Sequence, residues 1–172
     1  SPSSSTDWTF MYVGTNAGTL NAIRVSDGTV FTHSPVSTTP CNCVGAGAIK
    51  GLPWPLSWNA VGVATPDTII FTRNTTVHSV NFDGSTFTPN WTTTLTGTPT
   101  VSAPVDDGAN HLYIGASDGK VHQLDVATGA DQAQAPTTAI SGAMGAPTFN
   151  VDRNSIHVGA TDGHVYTFTT PF

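Results

Sequence analysis

The chain has 172 residues, 11 acidic and 5 basic, and a formal net charge of −6. Its five scattered cations (Arg24, Lys50, Arg73, Lys120 and Arg153) build no basic face to neutralise phosphates, which argues against nucleic-acid binding. No apolar run approaches the roughly 20 residues of a membrane-spanning helix, and 29 Thr, 17 Gly and 12 Pro beside two Lys and no Glu favour strands and turns over helices.

In chain order, Ser1-Pro2-Ser3-Ser4-Ser5-Thr6 is polar and reads as a flexible leader or linker end, compatible with a processed N-terminus. The first strong signal is M-Y-V-G-T-N-A-G-T-L at 11–20, and the phrase returns at 68–77, 112–121 and 156–165. The last three copies begin 44 residues apart with no gap inside the phrase; the first stands 57 residues upstream of the second. Each copy predicts a β-hairpin, over 11–24, 68–81, 112–125 and 156–169. In the clearest one, Leu112-Tyr113-Ile114-Gly115 is a strand, Ser117-Asp118-Gly119 a tight turn and 121–125 the return. A second turn follows at Ser26-Asp27-Gly28, Asp83-Gly84 and Ala127-Thr128-Gly129. Val13, Ile70, Ile114 and Val158 share one phase of the phrase and are expected in equivalent buried sites.

The run 35–59 holds the 13 extra residues of the first interval. Its turn residues predict a loop outside the common blade, carrying Cys41, Cys43 and, between two prolines, Trp54, the candidate partner contact. Further on, Ala103-Pro104-Val105 and Ala146-Pro147-Thr148 mark a strand ahead of the third and fourth phrases. Three or four short antiparallel strands per fixed period make the 1–172 chain a single all-β domain of propeller blades.

These residues resemble the quinoprotein-like (pyrroloquinoline-quinone-type) β-propeller repeat, roughly vYvGs-x-DG-x-lyALD-x-x-TG-x-x-x-W. The match runs through Leu112–Gly115, Asp118-Gly119, Leu124-Asp125 and Thr128-Gly129. It recurs at Ile156–Gly159 with Asp162-Gly163 and at Met11–Gly14 with Gly18. In the second copy Phe71 and Asn74-Thr75 replace the two glycines. No copy carries the terminal Trp that docks neighbouring blades in that family. The resemblance implies about twice as many blades as the four counted, so the chain reads as part of a larger ring. By the same count the first blade lacks its leading strand and the fourth its trailing strand. Another protein chain or a second copy is expected to complete the ring, with closure by four blades alone as the alternative.

Chemistry-bearing residues are few. Cys41-Asn42-Cys43 is a disulfide candidate, with a free pair or a bond to a partner left open, and it lacks the further ligands a zinc site needs. Asn74-Thr75-Thr76 and Asn90-Trp91-Thr92 are candidate glycosylation sites; with sparse Lys and abundant Thr they point to an extracytoplasmic protein. The acidic clusters 106–110 and 150–154 offer oxygens to Ca²⁺ but read first as turns. His78 and His122 fall at equivalent places, where Tyr166 follows, and suit surface or structural roles better than a shared metal. Trp8, Trp54, Trp58 and Trp91 could stack on sugars but suit a core. No catalytic residue, metal or cofactor is assigned. The expected function is a non-catalytic extracytoplasmic scaffold or protein-interaction module. Half of a quinoprotein dehydrogenase, using PQQ and Ca²⁺ with a second chain, and a glycan-binding propeller are the alternatives.

Overall fold

The computed structural model describes residues 2–4, 9–33, 47–56, 67–97 and 99–172 of the chain, whose strands form four antiparallel sheets in succession. Blade 1 is β1 (Pro2–Ser4), β2 (Phe10–Gly14), β3 (Leu20–Arg24) and β4 (Val30–His33). Blade 2 is β5 (Ile49–Pro55), β6 (Asp67–Arg73), β7 (Thr76–Phe82) and β8 (Phe87–Thr94). Blade 3 is β9 (Val101–Asp106), β10 (His111–Ala116), β11 (Val121–Asp125) and β12 (Asp131–Ala135). Blade 4 has three strands, β13 (Thr148–Asn150), β14 (Ser155–Gly159) and β15 (Val165–Thr169). The chain is a set of β-propeller blades, consistent with a partial propeller. The sole described helical element is a 3₁₀ turn, Val151–Arg153.

Two expectations change here. Blade 1 does have a leading strand: Pro2–Ser4 pairs with β2 in register Pro2↔Val13 to Ser4↔Met11. A Ser/Pro segment carries no hydrophobic alternation, so only backbone pairing reveals it. Within 35–59, Ile49–Pro55 is likewise a leading strand, paired with β6 across a register shift between Lys50 and Trp54. Pro53 and Pro55 disguised it, because proline is tolerated in an edge strand or bulge but signals a loop in sequence. Residues 34–46, with Cys41 and Cys43, lie outside the described residues.

Three apolar layers hold the blades together, each between successive sheets. Tyr12, Leu20 and Ala22 of blade 1 pack with Ile49, Ile69, Phe71, Val80 and Phe82 of blade 2. Ile70 and Val77 of blade 2 pack with Leu112, Ile114, Leu124 and Val126 of blade 3. Tyr113 and Val121 of blade 3 pack with Ile156 and Val158 of blade 4.

These layers expose an offset in the repeat. In blade 3, Ile114 faces back towards blade 2 and Tyr113 forward to blade 4. In blade 2 it is Phe71 that faces back and Ile70 that faces forward. Six residues separate the opposed pair Phe71 and His78, but seven separate Ile114 and His122. Blade 2 turns on Asn74-Thr75 alone, between Arg73 and Thr76, with Asn74 at φ 49°. The other blades use a longer loop with glycine in the left-handed region at Gly18, Gly119 and Gly163. One missing residue flips every side chain of β6 to the other face. Ile70 is therefore not equivalent to Ile114, and Val13 is half-buried where Ile114 and Val158 are buried.

Candidate functional site

Each blade is tied to the next through the same corner. The glycine ending the first hairpin strand has an ordinary backbone, and its lack of a Cβ matters only for packing. A Cβ at Gly14 would lie 2.4 Å from Ile49 Cγ2, and one at Gly115 would lie 2.0 Å from the Gly145 carbonyl oxygen. The incoming segment donates an N–H to the preceding hairpin loop: Ile49, the first residue of β5, to Thr15 O (3.1 Å), Val101, the first of β9, to Asn74 O (2.8 Å), and Met144, which bridges Ala160 ahead of β13, to Ala116 O (3.0 Å). Their side chains are buried.

Side chains add further ties. The Tyr12 hydroxyl donates to the Asp67 carboxylate, and the Arg73 guanidinium donates to Gly18 O. The Trp91 indole N–H donates to Val126 O at 2.9 Å, Thr93 Oγ1 donates to Gly129 O at 2.7 Å, and the indole ring covers Gly129. Trp91 therefore docks blade 2 on blade 3, so a docking Trp exists after all. It follows Gly84 by seven residues rather than the repeat's four, and β8 bulges opposite Ser79 and Val80 to seat it.

A polar network braces blade 3. His122 is 1% exposed in its side chain, with Nδ1 2.8 Å from Asp131 Oδ2 and Nε2 3.0 Å from Asp118 Oδ2. Burial lowers its pKa, but the two carboxylates outweigh burial and hold it above 6.5. Gln134 Nε2 donates to Asp131 at 3.1 Å and Lys120 Nζ donates to Gln134 Oε1 at 3.0 Å, along an open cleft of about 330 Å³. In blade 4, the Tyr166 hydroxyl donates to Asp162 Oδ2 at 2.6 Å, the same turn-to-strand lock. In blade 2, His78 bonds Thr76 and Thr92 and stacks on Phe71 at 4.8 Å. The three equivalent side chains thus serve three separate hairpins. Among the described residues no cluster of His, Cys, Asp or Glu is arranged to hold a metal.

The other candidates fall as follows. Trp54 packs between blades, and its N–H donates to Asp106 Oδ2 at 2.5 Å. Asn74 occupies the exposed turn of blade 2 with its amide against Gly47. Asn90 is exposed on β8, donating to Ser79 Oγ (3.2 Å) and Asn81 Oδ1 (2.8 Å). At 106–110 the Asp oxygens accept backbone N–H bonds from Gly108, Ala109 and His111, and at 150–154 Asn150 accepts one from Arg153. The Asp107 carboxyl is burdened by burial, but the Ala109 and His111 N–H groups and the His111 ring hold it below 3.8.

The two end faces complete the picture. On blade 1, Met11, Val13, Ile23 and Val25 occupy the places that Ile69, Phe71, Val80 and Phe82 fill in blade 2 and Leu112, Ile114, Leu124 and Val126 fill in blade 3. Those eight are buried, whereas Met11 is 38% and Val25 56% exposed. Met11, Ile23 and Val30 lie in register across three strands, as one open apolar row. At the other end, Val165 takes the place of buried Leu20, Val77 and Val121 and is 74% exposed.

No protein-family model matches the chain, and no curated protein matches it in sequence. Solved structures do match its fold. The computationally designed Ika4 protein aligns with TM-score 0.66 at 16% identity, over 95% of this chain and 86% of its own. BamB from Moraxella catarrhalis aligns with TM-score 0.63 at 18% identity, over 97% of this chain and 45% of its own. A chain of the mitotic checkpoint complex aligns with TM-score 0.73 at 14% identity, over 98% and 46%. The fold is that of a β-propeller, and the chain spans less than half of the last two. No described helix is long and apolar enough to cross a membrane.

Proposed function

We propose that this chain is a non-catalytic propeller module for protein interaction, acting outside the cytoplasm, with another polypeptide covering its end blades. The observation that carries the reading is the end face of blade 1. Its apolar residues repeat those that blades 2 and 3 bury, yet stand open, and such faces mark interaction sites. The match to a chain of a checkpoint complex agrees with an interaction role. The Thr-rich, Lys-poor composition and the exposed Asn90 sequon support export. The resemblance to the quinoprotein-like repeat supports the scaffold branch of that family rather than its dehydrogenases, since Asp106, Asp107 and Asn150 spend their oxygens on local turns.

Native mass spectrometry of the protein as isolated from its source tests the reading. A stable complex with another chain is expected; a lone monomer at all concentrations overturns it. Dye reduction after reconstitution with quinone and Ca²⁺ would replace it with the dehydrogenase reading.

A further inference from the structure

Both ring nitrogens of His122 face carboxylates, Nδ1 at 2.8 Å from Asp131 Oδ2 and Nε2 at 3.0 Å from Asp118 Oδ2. An ionised carboxylate only accepts, so both nitrogens must carry a proton for the two bonds to exist together. Burial opposes that charge, but Asp131 and Asp118 outweigh it and hold the imidazole's pKa above 6.5. The other ionisable groups nearby are turned elsewhere. Lys120 Nζ donates to Gln134 Oε1, Tyr113 faces blade 4 and His111 bonds Asp107. Ile114 stands opposite His122 on β10, and the segment 136–147 after β12 holds no ionisable residue. Blade 2 directs Val77, Trp91 and Thr93 at blade 3, while its His78 stacks on Phe71 and its Arg73 reaches Gly18 of blade 1.

Loss of one proton leaves a single N–H for two carboxylates, and the two are not equal. The Asp131 side chain is 15% exposed, that of Asp118 29%. Asp131 Oδ1 is buried with no hydrogen-bond partner among the described residues, so losing His122 would leave this enclosed carboxylate on Gln134 alone. Asp118 lies in the turn between β10 and β11 and can rotate Oδ2 into water. The remaining proton therefore belongs on Nδ1.

We propose that His122 is a proton-operated latch on the hairpin turn 117–120 of blade 3: when Nε2 loses its proton the ring lets go of Asp118 and frees the turn, while Asp131 keeps its hold and β12 stays in place. That turn is part of the corner where blades meet. Ser117 N–H donates to Thr100 O at 2.9 Å, just ahead of β9, and Gly119 O accepts from Ile140 N–H at 3.2 Å, on the way to blade 4. The equivalent places in blades 4 and 2 lack the device. Tyr166 donates its hydroxyl to Asp162 at 2.6 Å, and that bond pushes the phenol's pKa up, so the blade 4 turn stays locked where His122 titrates. His78 faces the Thr76 and Thr92 hydroxyls, which donate or accept, so a neutral ring suits it. The latch holds whether or not a partner covers the end blades.

Nuclear magnetic resonance between about pH 5 and 9 tests the latch, with ring ¹⁵N shifts following His122 and amide exchange, corrected for its intrinsic pH dependence, following the turns. As His122 titrates, protection of the Gly119 and Lys120 amides should fall about tenfold, the order expected for one lost charge-assisted hydrogen bond. Gly163, His164 and the β12 amides should keep theirs, and the neutral ring should be the Nδ1–H tautomer. Asp118→Asn is the discriminating variant. Its amide oxygen accepts from the imidazolium and its nitrogen donates to the bare Nε2 of the neutral ring, so protection should stay level across the titration. A role confined to packing predicts no such rescue. Level protection in the parent, a fall shared by β12 or by the blade 4 turn, an Nε2–H tautomer, or a fall that persists in Asp118→Asn overturns the latch. Should Asp118→Asn fail to fold, the tautomer and the contrast between the two turns, both read on the unmodified chain, decide.

Discussion

Single residues carry the joints, and their contributions differ by context rather than type. Gly115 and Gly159 are one glycine of the repeat in two settings. Gly115→Ala drives a Cβ to 2.0 Å from a backbone oxygen, which a strand can relieve only by moving, so a loss of roughly 2–3 kcal/mol is expected. Gly159→Ala meets none of the described residues within 4 Å and should be neutral or stabilise by up to about 1 kcal/mol, as alanine replaces glycine in a strand. Chemical denaturation of the two variants side by side checks this; equal effects would mean that strand propensity and not packing governs the position. His122 is a second case. His122→Ala leaves two carboxylates facing a void and should cost about 2–3 kcal/mol, allowing for the partial exposure of Asp118 and Asp131.

At the scale of elements, β8 and β6 decide how blades meet. Trp91→Phe keeps the ring over Gly129 but removes the bond to Val126 O, for a loss of about 1 kcal/mol; Trp91→Ala should lose roughly 3 kcal/mol. Similar losses for the two would assign the whole effect to the hydrogen bond. The offset in β6 makes its own prediction. Ile70→Val and Ile114→Val share a packed layer and should be non-additive by about 0.5 kcal/mol or more, while Phe71→Leu and Ile114→Val should add. The hairpins were legible in the sequence because alternating apolar residues and turn glycines are local signals, and Gly18, Gly28, Gly84, Gly119, Gly129 and Gly163 all have positive φ. The offset was not, because Ile69, Ile70 and Phe71 are all apolar and an ungapped alignment looks equally good in either phase. Pro2–Ser4 and Ile49–Pro55 were missed since pairing, not composition, makes them strands. The lock around His122 was within reach: Asp118 and His122 stand four apart, as do Asp162 and Tyr166, and both bond.

For the whole molecule, the ionisable groups set a stability window. Asp27, Asp83, Asp107, Asp125 and Asp162 have pKa values below 3.8, chiefly through hydrogen bonds, although burial opposes this most strongly at Asp107. Their contribution is complete above that pH and disappears as pH falls through the lower folded values. His122 works in the opposite sense: its folded pKa lies above 6.5, so its contribution is full below 6.5 and is lost as pH rises through the folded value. The thermal midpoint should therefore peak between about pH 4 and 6.5. His122→Gln should flatten the alkaline limb and leave the acid limb in place. A midpoint that climbs steadily from pH 5 to 8 would show that the imidazole is not held charged by Asp118 and Asp131.

The short Asn74-Thr75 turn has a consequence for how this gene tolerates loss. Blade 2 already stands one residue short of the repeat, which swaps the outlook of Ile69, Ile70 and Phe71, and either outlook is apolar and fully buried. Thr72 then stands at the joint in place of a glycine. The same lost codon in blade 3 would bring a side chain against Gly145 O, where a Cβ has 2.0 Å, and would break the joint to blade 4. A further deletion in the Asn74 turn, already only two residues long, would bring Arg73 to that joint and should be as damaging as a deletion in the turn at Asp118. A deletion scan across both turns, scored by soluble yield, should find both forbidden; a permissive Asn74 turn would mean that the strand and not its turn sets the outlook of β6.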